Sequence, residues 1–213
     1  MKLSLDIITQ IKQNALLGIE KFLIKRLESQ DEKQIKVVQT MSFWILDYVR
    51  LQTYETQQQV KYKKYKRGDV IKVNFGHRIG REHGGLHYAI VIDNNNALAS
   101  NTITVIPLSS FKPNMDSNHL GKDRLFLDTE IYKLLIDKLN SLNPNSVEAI
   151  AVKKELSRMK AGTIALIGQI TTISKYRIYD PLSTKNALHK IRLSDSTLNH
   201  VDCKIKELFT HTN

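Results

Sequence analysis

The residues best suited to chemistry lie in one stretch, Gly76-His77-Arg78-Ile79-Gly80-Arg81-Glu82-His83-Gly84-Gly85, followed at once by Leu86 and His87. Its ten residues include four glycines, two arginines and two histidines. Glycine lets a backbone adopt positive φ and approach a ligand closely. Arginine grips phosphate through a planar fork of donors, and histidine moves protons near neutral pH. A loop of this composition suits the handling of an anion. His77, His83 and His87 also raise the question of a metal. Their HxxxxxHxxxH spacing is no known zinc pattern, no acidic cluster completes it, and Cys203 is the only cysteine. No metal or other cofactor is expected, and no P-loop, GxGxxG fingerprint or GxSxG elbow is present.

Acid–base work on a phosphodiester fits these residues better. Cleaving RNA at its own ribose needs a base for the 2′-hydroxyl, a cation for the crowded phosphate and an acid for the leaving oxygen. His87, at the start of an apolar run, could serve as base or acid. Arg81 or Arg78 could hold the phosphate, and Ser109 could donate to one of its oxygens. The same side chains have plainer readings. His87 also suits a satisfied strand histidine, and Ser109 a strand-end hydroxyl bonding its own backbone.

Elements that could position these groups flank them. Ile71, Val73 and Phe75 alternate with Lys72 and Asn74, as in a half-buried strand, whereas His87 to Ile92 reads as a strand buried on both faces. Asn101 to Ser110 is β-branched, with Pro107 suggesting a bulge or an edge, and Arg124 to Thr129 is a further short strand. Helical spacing marks 4–28, the segment after Ser29–Glu32 to about 59, two pieces within 130–160, and a terminal helix capped by Ser194. Thr163 to Ser174 resumes the strand pattern, with Gly168 as a bulge. Short strands with a late helix predict an α+β fold built on a small, strongly bent barrel. The expected division is a helical hairpin at 1–60 and a barrel domain at 61–213 with a helical insertion at about 130–160.

The chain carries 32 Lys and Arg against 21 Asp and Glu, a formal charge of +11 that favours a polyanionic partner. The excess is local: residues 61–93 hold eight basic side chains against three acids, and residues 1–60 hold eight against seven. Val60 to Arg67 alternates cations with Tyr62 and Tyr65, so Lys64, Lys66 and Arg67 could meet phosphates while the tyrosines stack on bases. A solvated linker explains that strip equally well. No signal peptide and no membrane span are legible, and a cytoplasmic location is expected. The hairpin's apolar side is too broad to leave in water, so it is expected to serve dimerisation or to dock a partner.

Five segments in order carry a resemblance. RGDVIKVNFG, the G-x-E-x-GG motif before AIVIDN, TVIPLSS, RLFLD and IALIGQITTISKYRI together resemble the PemK/MazF family of toxin endoribonucleases, and the terminal helix has its counterpart there. The resemblance implies an SH3-like barrel, usually a homodimer, that cuts single-stranded mRNA at short sequences without metal. It implies control by a cognate antitoxin that occupies the RNA groove. By position Glu82, Gly84 and Gly85 match the loop motif, Ser109 falls where the family has a catalytic Thr or Ser, and Gln169 and Thr172 match its late strand. Together with Arg78 and His83 these are the expected RNA contacts. The chain departs from the pattern at His87-Tyr88, where members commonly have Arg-Pro, and that Arg is held to be the main acid–base and charge-stabilising residue. His87 keeps the proton chemistry and loses the permanent charge, which Arg81 could restore. Relatives with the same barrel poison DNA gyrase by binding alone, and a non-catalytic RNA binder is the other alternative.

Overall fold

The computed structural model describes residues 3–57, 63–160 and 162–211. The chain divides into two units, Met1–Thr56 and Gln57–Asn213. The first consists of helices α1 (Leu5–Glu28) and α2 (Glu32–Gln57), separated at Gln30, whose φ of 54° breaks the helical path. Ser4 caps α1 by accepting from the Ile7 amide. The anticipated inward stripe of α1 is only partly realised. Ile19 and Phe22 are half-buried, but Ile8 and Ile11 are exposed, as are Leu16, Leu17 and Leu27. Apolar residues fall all round this helix rather than on one stripe, so no single packing face could cover them.

The second unit is an antiparallel sheet with three helices. Its strands are β1 (Val70–Asn74), β2 (Leu86–Val91), β3 (Thr102–Ser110), β4 (Leu125–Phe126), β5 (Thr163–Ala165), β6 (Thr171–Ser174) and β7 (Ile178–Asp180). They run in the order β4-β5-β3-β2-β1-β7, with β6 also on β3, and among the described residues the end strands β4 and β7 do not pair with each other. The insertion forms α3 (Glu130–Asn140) and α4 (Val147–Leu156), and Ser194 caps α5 (Asp195–Phe209). Two expectations are corrected here. Residues 163–174 are not one strand with a bulge, because a 3-10 turn at Ile167–Gln169 separates β5 from β6 and Gly168 sits in it. Pro107 is buried inside central strand β3 rather than at an edge. Its carbonyl accepts from the Leu166 amide just past the end of β5, and its missing N–H faces the gap where β6 has stopped and β5 begins.

Two cores follow from the two-residue period of the strands. Val70, Ile90, Ile106 and Leu108 on one face pack with Ile131 and Leu135 of α3, Val152 of α4, and Leu198 and Val201 of α5. Ile71, Val73, Ala89, Val91, Ile103, Val105, Ile173 and Ile178 form the other core from strands β1, β2, β3, β6 and β7, joined by Tyr65. Tyr65 is therefore no base-stacking platform. It is 2% exposed and its hydroxyl donates to the Pro181 carbonyl at 3.0 Å. The extended segment turns Lys63 and Tyr65 inward and leaves Lys64 and Lys66 exposed, while Lys61 and Tyr62 lie outside the described residues. No described helix is long and apolar enough to cross a membrane.

Candidate active site

The loop between β1 and β2 is built from its own backbone inward. At its neck the Phe75 amide donates to the Gly85 carbonyl at 2.9 Å and the Gly85 amide to the Gly76 carbonyl at 2.7 Å. Asn74 at the end of β1 accepts from the Gly76 amide at 3.0 Å. At the tip, Glu82 accepts from the Ile79 amide at 3.1 Å, so its carboxylate shapes the loop turn. Gly85 needs its glycine because its φ is +84°, and Gly84 because a Cβ there would meet the Arg78 Cβ at 2.7 Å and the Arg78 amide nitrogen at 2.9 Å. Gly84→Ala is expected to cost about 1–3 kcal/mol, as overpacking does, and to shift the loop. Urea unfolding checks the first effect, and amide chemical shifts of residues 76–87 check the second.

Gln169 braces the loop from the far side of the sheet's break. Its side-chain oxygen accepts from the His83 amide at 2.6 Å, and its amide nitrogen lies 3.5 Å from the Arg81 carbonyl. The resemblance makes Gln169 an RNA contact; in the fold it positions the loop that carries the histidines. The His83 ring packs against Phe75 at 5.4 Å between centroids and against His87 at 4.1 Å. Burial, followed by the charges of His87 and Arg78, pushes the His83 pKa down to about 4. Burial also lowers His87, opposed by its hydrogen bond to the Gly84 backbone and reinforced by Arg78. Both rings are therefore neutral at pH 7, the form in which an imidazole can accept a proton.

The burial of His83 makes stability depend on pH. The unfolded chain binds a proton at His83 near the ordinary 6.5, while the folded chain resists it until about 4. The stabilisation is full above pH 6.5 and is lost as pH falls toward 4. His83→Gln should flatten this fall, measured as unfolding free energy from pH 7 to 4.5. An unchanged fall would show that the acid loss arises elsewhere.

His87 and Ser109 line one cleft of about 300 Å³. β2 and β3 bring them there: Ala89 stands opposite Pro107 in an antiparallel pair, and His87 lies two positions before Ala89 while Ser109 lies two after Pro107. The remaining polar residues of the lining are Ser110, Lys112, Lys160 and Thr163, and Tyr88 also borders it. Lys112 and Lys160 went unnoticed in the sequence because they belong to a loop and to the end of the insertion. Arg78 and Arg81 are exposed on the neighbouring loop and do not line the cleft, although the charge of Arg78 is felt by both histidines. Lys64 and Lys66 are exposed, but the Arg67 guanidinium donates to the Ile92 carbonyl and to Asp202 of α5, which commits its charge to the fold. The Thr172 hydroxyl pairs with that of Thr104 at 3.2 Å, and neither lines the cleft. Among the described residues no three His, Cys, Asp or Glu side chains are grouped to hold a metal ion.

Behind the cleft, Lys72 of β1 and Tyr88 of β2 both donate to one oxygen of Glu155 on α4, the tyrosine at 2.5 Å. Burial alone would raise the Glu155 pKa. The Lys72 and Tyr88 hydrogen bonds and the charges of Lys72 and Arg158 outweigh it and hold the carboxyl below its ordinary value. This contact fixes the insertion to the strand that carries His87.

A histidine and a serine on adjacent strands, a glycine-rich loop braced by a glutamine, and a cleft lined by two lysines make up the candidate site on an antiparallel α+β scaffold. A family model described as PemK-like, MazF-like toxin of type II toxin-antitoxin system matches residues 66–209. The chain belongs to that family, whose type II character implies an antitoxin partner. No curated protein matches the chain.

Proposed function

We propose that this toxin is an endoribonuclease that cuts single-stranded mRNA at short sequences. The observation that carries the reading is the shared cleft of neutral His87 and Ser109 with two lysines at its rim. His87 takes the proton from a ribose 2′-hydroxyl, and the freed oxygen attacks the adjacent phosphorus. The bond to the 5′-oxygen breaks, and that oxygen leaves as a hydroxyl after taking a proton from water, while protonated His87 returns its proton to solvent. Ser109 donates to a non-bridging phosphate oxygen as charge gathers there. Arg78 and Arg81 attract the strand toward the loop, and His83 packs its tilted ring against His87 and holds it. The products are a 2′,3′-cyclic phosphate and a 5′-hydroxyl, and no step calls for a metal.

The strand-only core supports an SH3-like barrel within the sheet, and family membership supports a homodimer in the cytoplasm whose groove the antitoxin blocks. Purified protein incubated with a long single-stranded RNA in EDTA tests the activity, with both new ends mapped. Sequence-restricted cuts bearing those end groups are expected. Folded protein that binds RNA without cutting it would overturn the nuclease reading in favour of a binder. Failure to engage RNA, with recovery of DNA gyrase in a pull-down, would replace RNA as the target.

A further inference from the structure

We infer that the helical insertion forms a phosphate-gripping wall of the cleft, with Lys160 on that wall and Lys112 on the β3 side acting as the strand's clamp. The inference rests on the RNA reading above and deepens it. The cleft's charged and hydroxyl lining is His87, Ser109, Ser110, Lys112, Lys160 and Thr163, without a single carboxylate. Ammonium and hydroxyl donors with no competing acid describe a site for a polyanion. Both lysines are exposed, and among the described residues neither forms an ion pair. Other cations of this unit are already spent: Lys72 on Glu155, Arg67 on Asp202, and Arg192 on Asp69.

Position is also fixed. Glu155 ties α4 to β1 and β2, the Met159 amide donates to the Glu155 carbonyl at 3.0 Å, and Met159 packs against the helix-side core. Lys160 follows directly. Leu86 and Met159 add apolar surface to the same cleft, suited to the face of a base beside the held phosphate. Because His87 is neutral at pH 7, the permanent charge at this cleft comes from Lys112 and Lys160, while Arg78 and Arg81 act from the loop outside it.

The test is equilibrium binding of an uncleavable single-stranded 2′-O-methyl oligoribonucleotide of randomised sequence, by fluorescence anisotropy across a salt series. For single strands each lost phosphate contact reduces the magnitude of the negative slope of log K against log salt by about 0.7. Lys112→Gln and Lys160→Gln should each reduce that magnitude by about that amount, and the double variant by about twice as much. Lys206→Gln, on α5 and outside the cleft, should leave it unchanged. Wild-type slopes in both single variants, with intact RNA binding by wild type, would overturn the clamp and spare the RNA reading. Wild-type protein that shows no salt-dependent RNA binding would overturn both.

Discussion

His87→Ala is expected to slow RNA cleavage in EDTA by about 10²- to 10⁴-fold, the usual contribution of a positioned acid–base side chain. Substrate affinity should change little, because the uncharged ring supplies proton transfer rather than charge. The pH profile gives a second readout. Burial lowers the His87 pKa, so its base form persists below the ordinary 6.5 of an imidazole. The acid limb of kcat/KM in wild type should therefore fall below that pH, and its position should move in a His83→Gln variant, which replaces the ring packed against His87. His87→Arg, which restores the residue common in the family, should remove that limb while retaining part of the activity. Undiminished cleavage by His87→Ala would show that another group removes the 2′-hydroxyl proton.

Glu155→Ala is expected to destabilise the protein by about 3–5 kcal/mol, the effect of leaving a buried charge without its partner. Lys72 and Glu155 side chains are 15% and 8% exposed, and the Tyr88 hydroxyl loses the same acceptor. Urea unfolding should show the loss, with the double variant Lys72→Met, Glu155→Leu recovering much of it because no orphaned charge remains. The pH dependence has a definite sign. The folded carboxyl is held below its ordinary value, so its stabilisation is present above about pH 4.5 and is lost as pH falls through the folded value. A loss under about 1 kcal/mol would mean that water replaces the carboxylate without penalty and that the insertion is held by its apolar contacts alone.

Much of the framework is legible in the residues themselves. Alternation at Ile71–Phe75 and the apolar run from Ala89 to Val91 yield β1 and β2, because a strand exposes successive side chains to opposite faces. Ser4, Ser146 and Ser194 mark helix starts through hydroxyls that accept from amides three residues on. His87 stands out by residue type and Ser109 by family position, and the fold places both on one cleft. Where local pattern misled, a longer-range contact had intervened. Tyr65 reads as a surface aromatic among lysines, but the period of an extended chain and the Pro181 carbonyl draw it into the core. Pro107 reads as an edge residue, but a switch of partner strands gives its missing N–H a place in the centre.

The sequence by itself determined the residue types at the site, the strand and helix pattern around them, and the membership of residues 66–209 in the toxin family. Tertiary structure alone decided which charges serve the cleft. Arg67 lies inside the basic strip yet bonds Asp202, 135 positions away, and Lys160 lies 73 positions after His87 yet lines its cleft. The reason is physical: a cation's availability depends on the acid or carbonyl that folding brings beside it, and spacing along the chain carries no record of that neighbour.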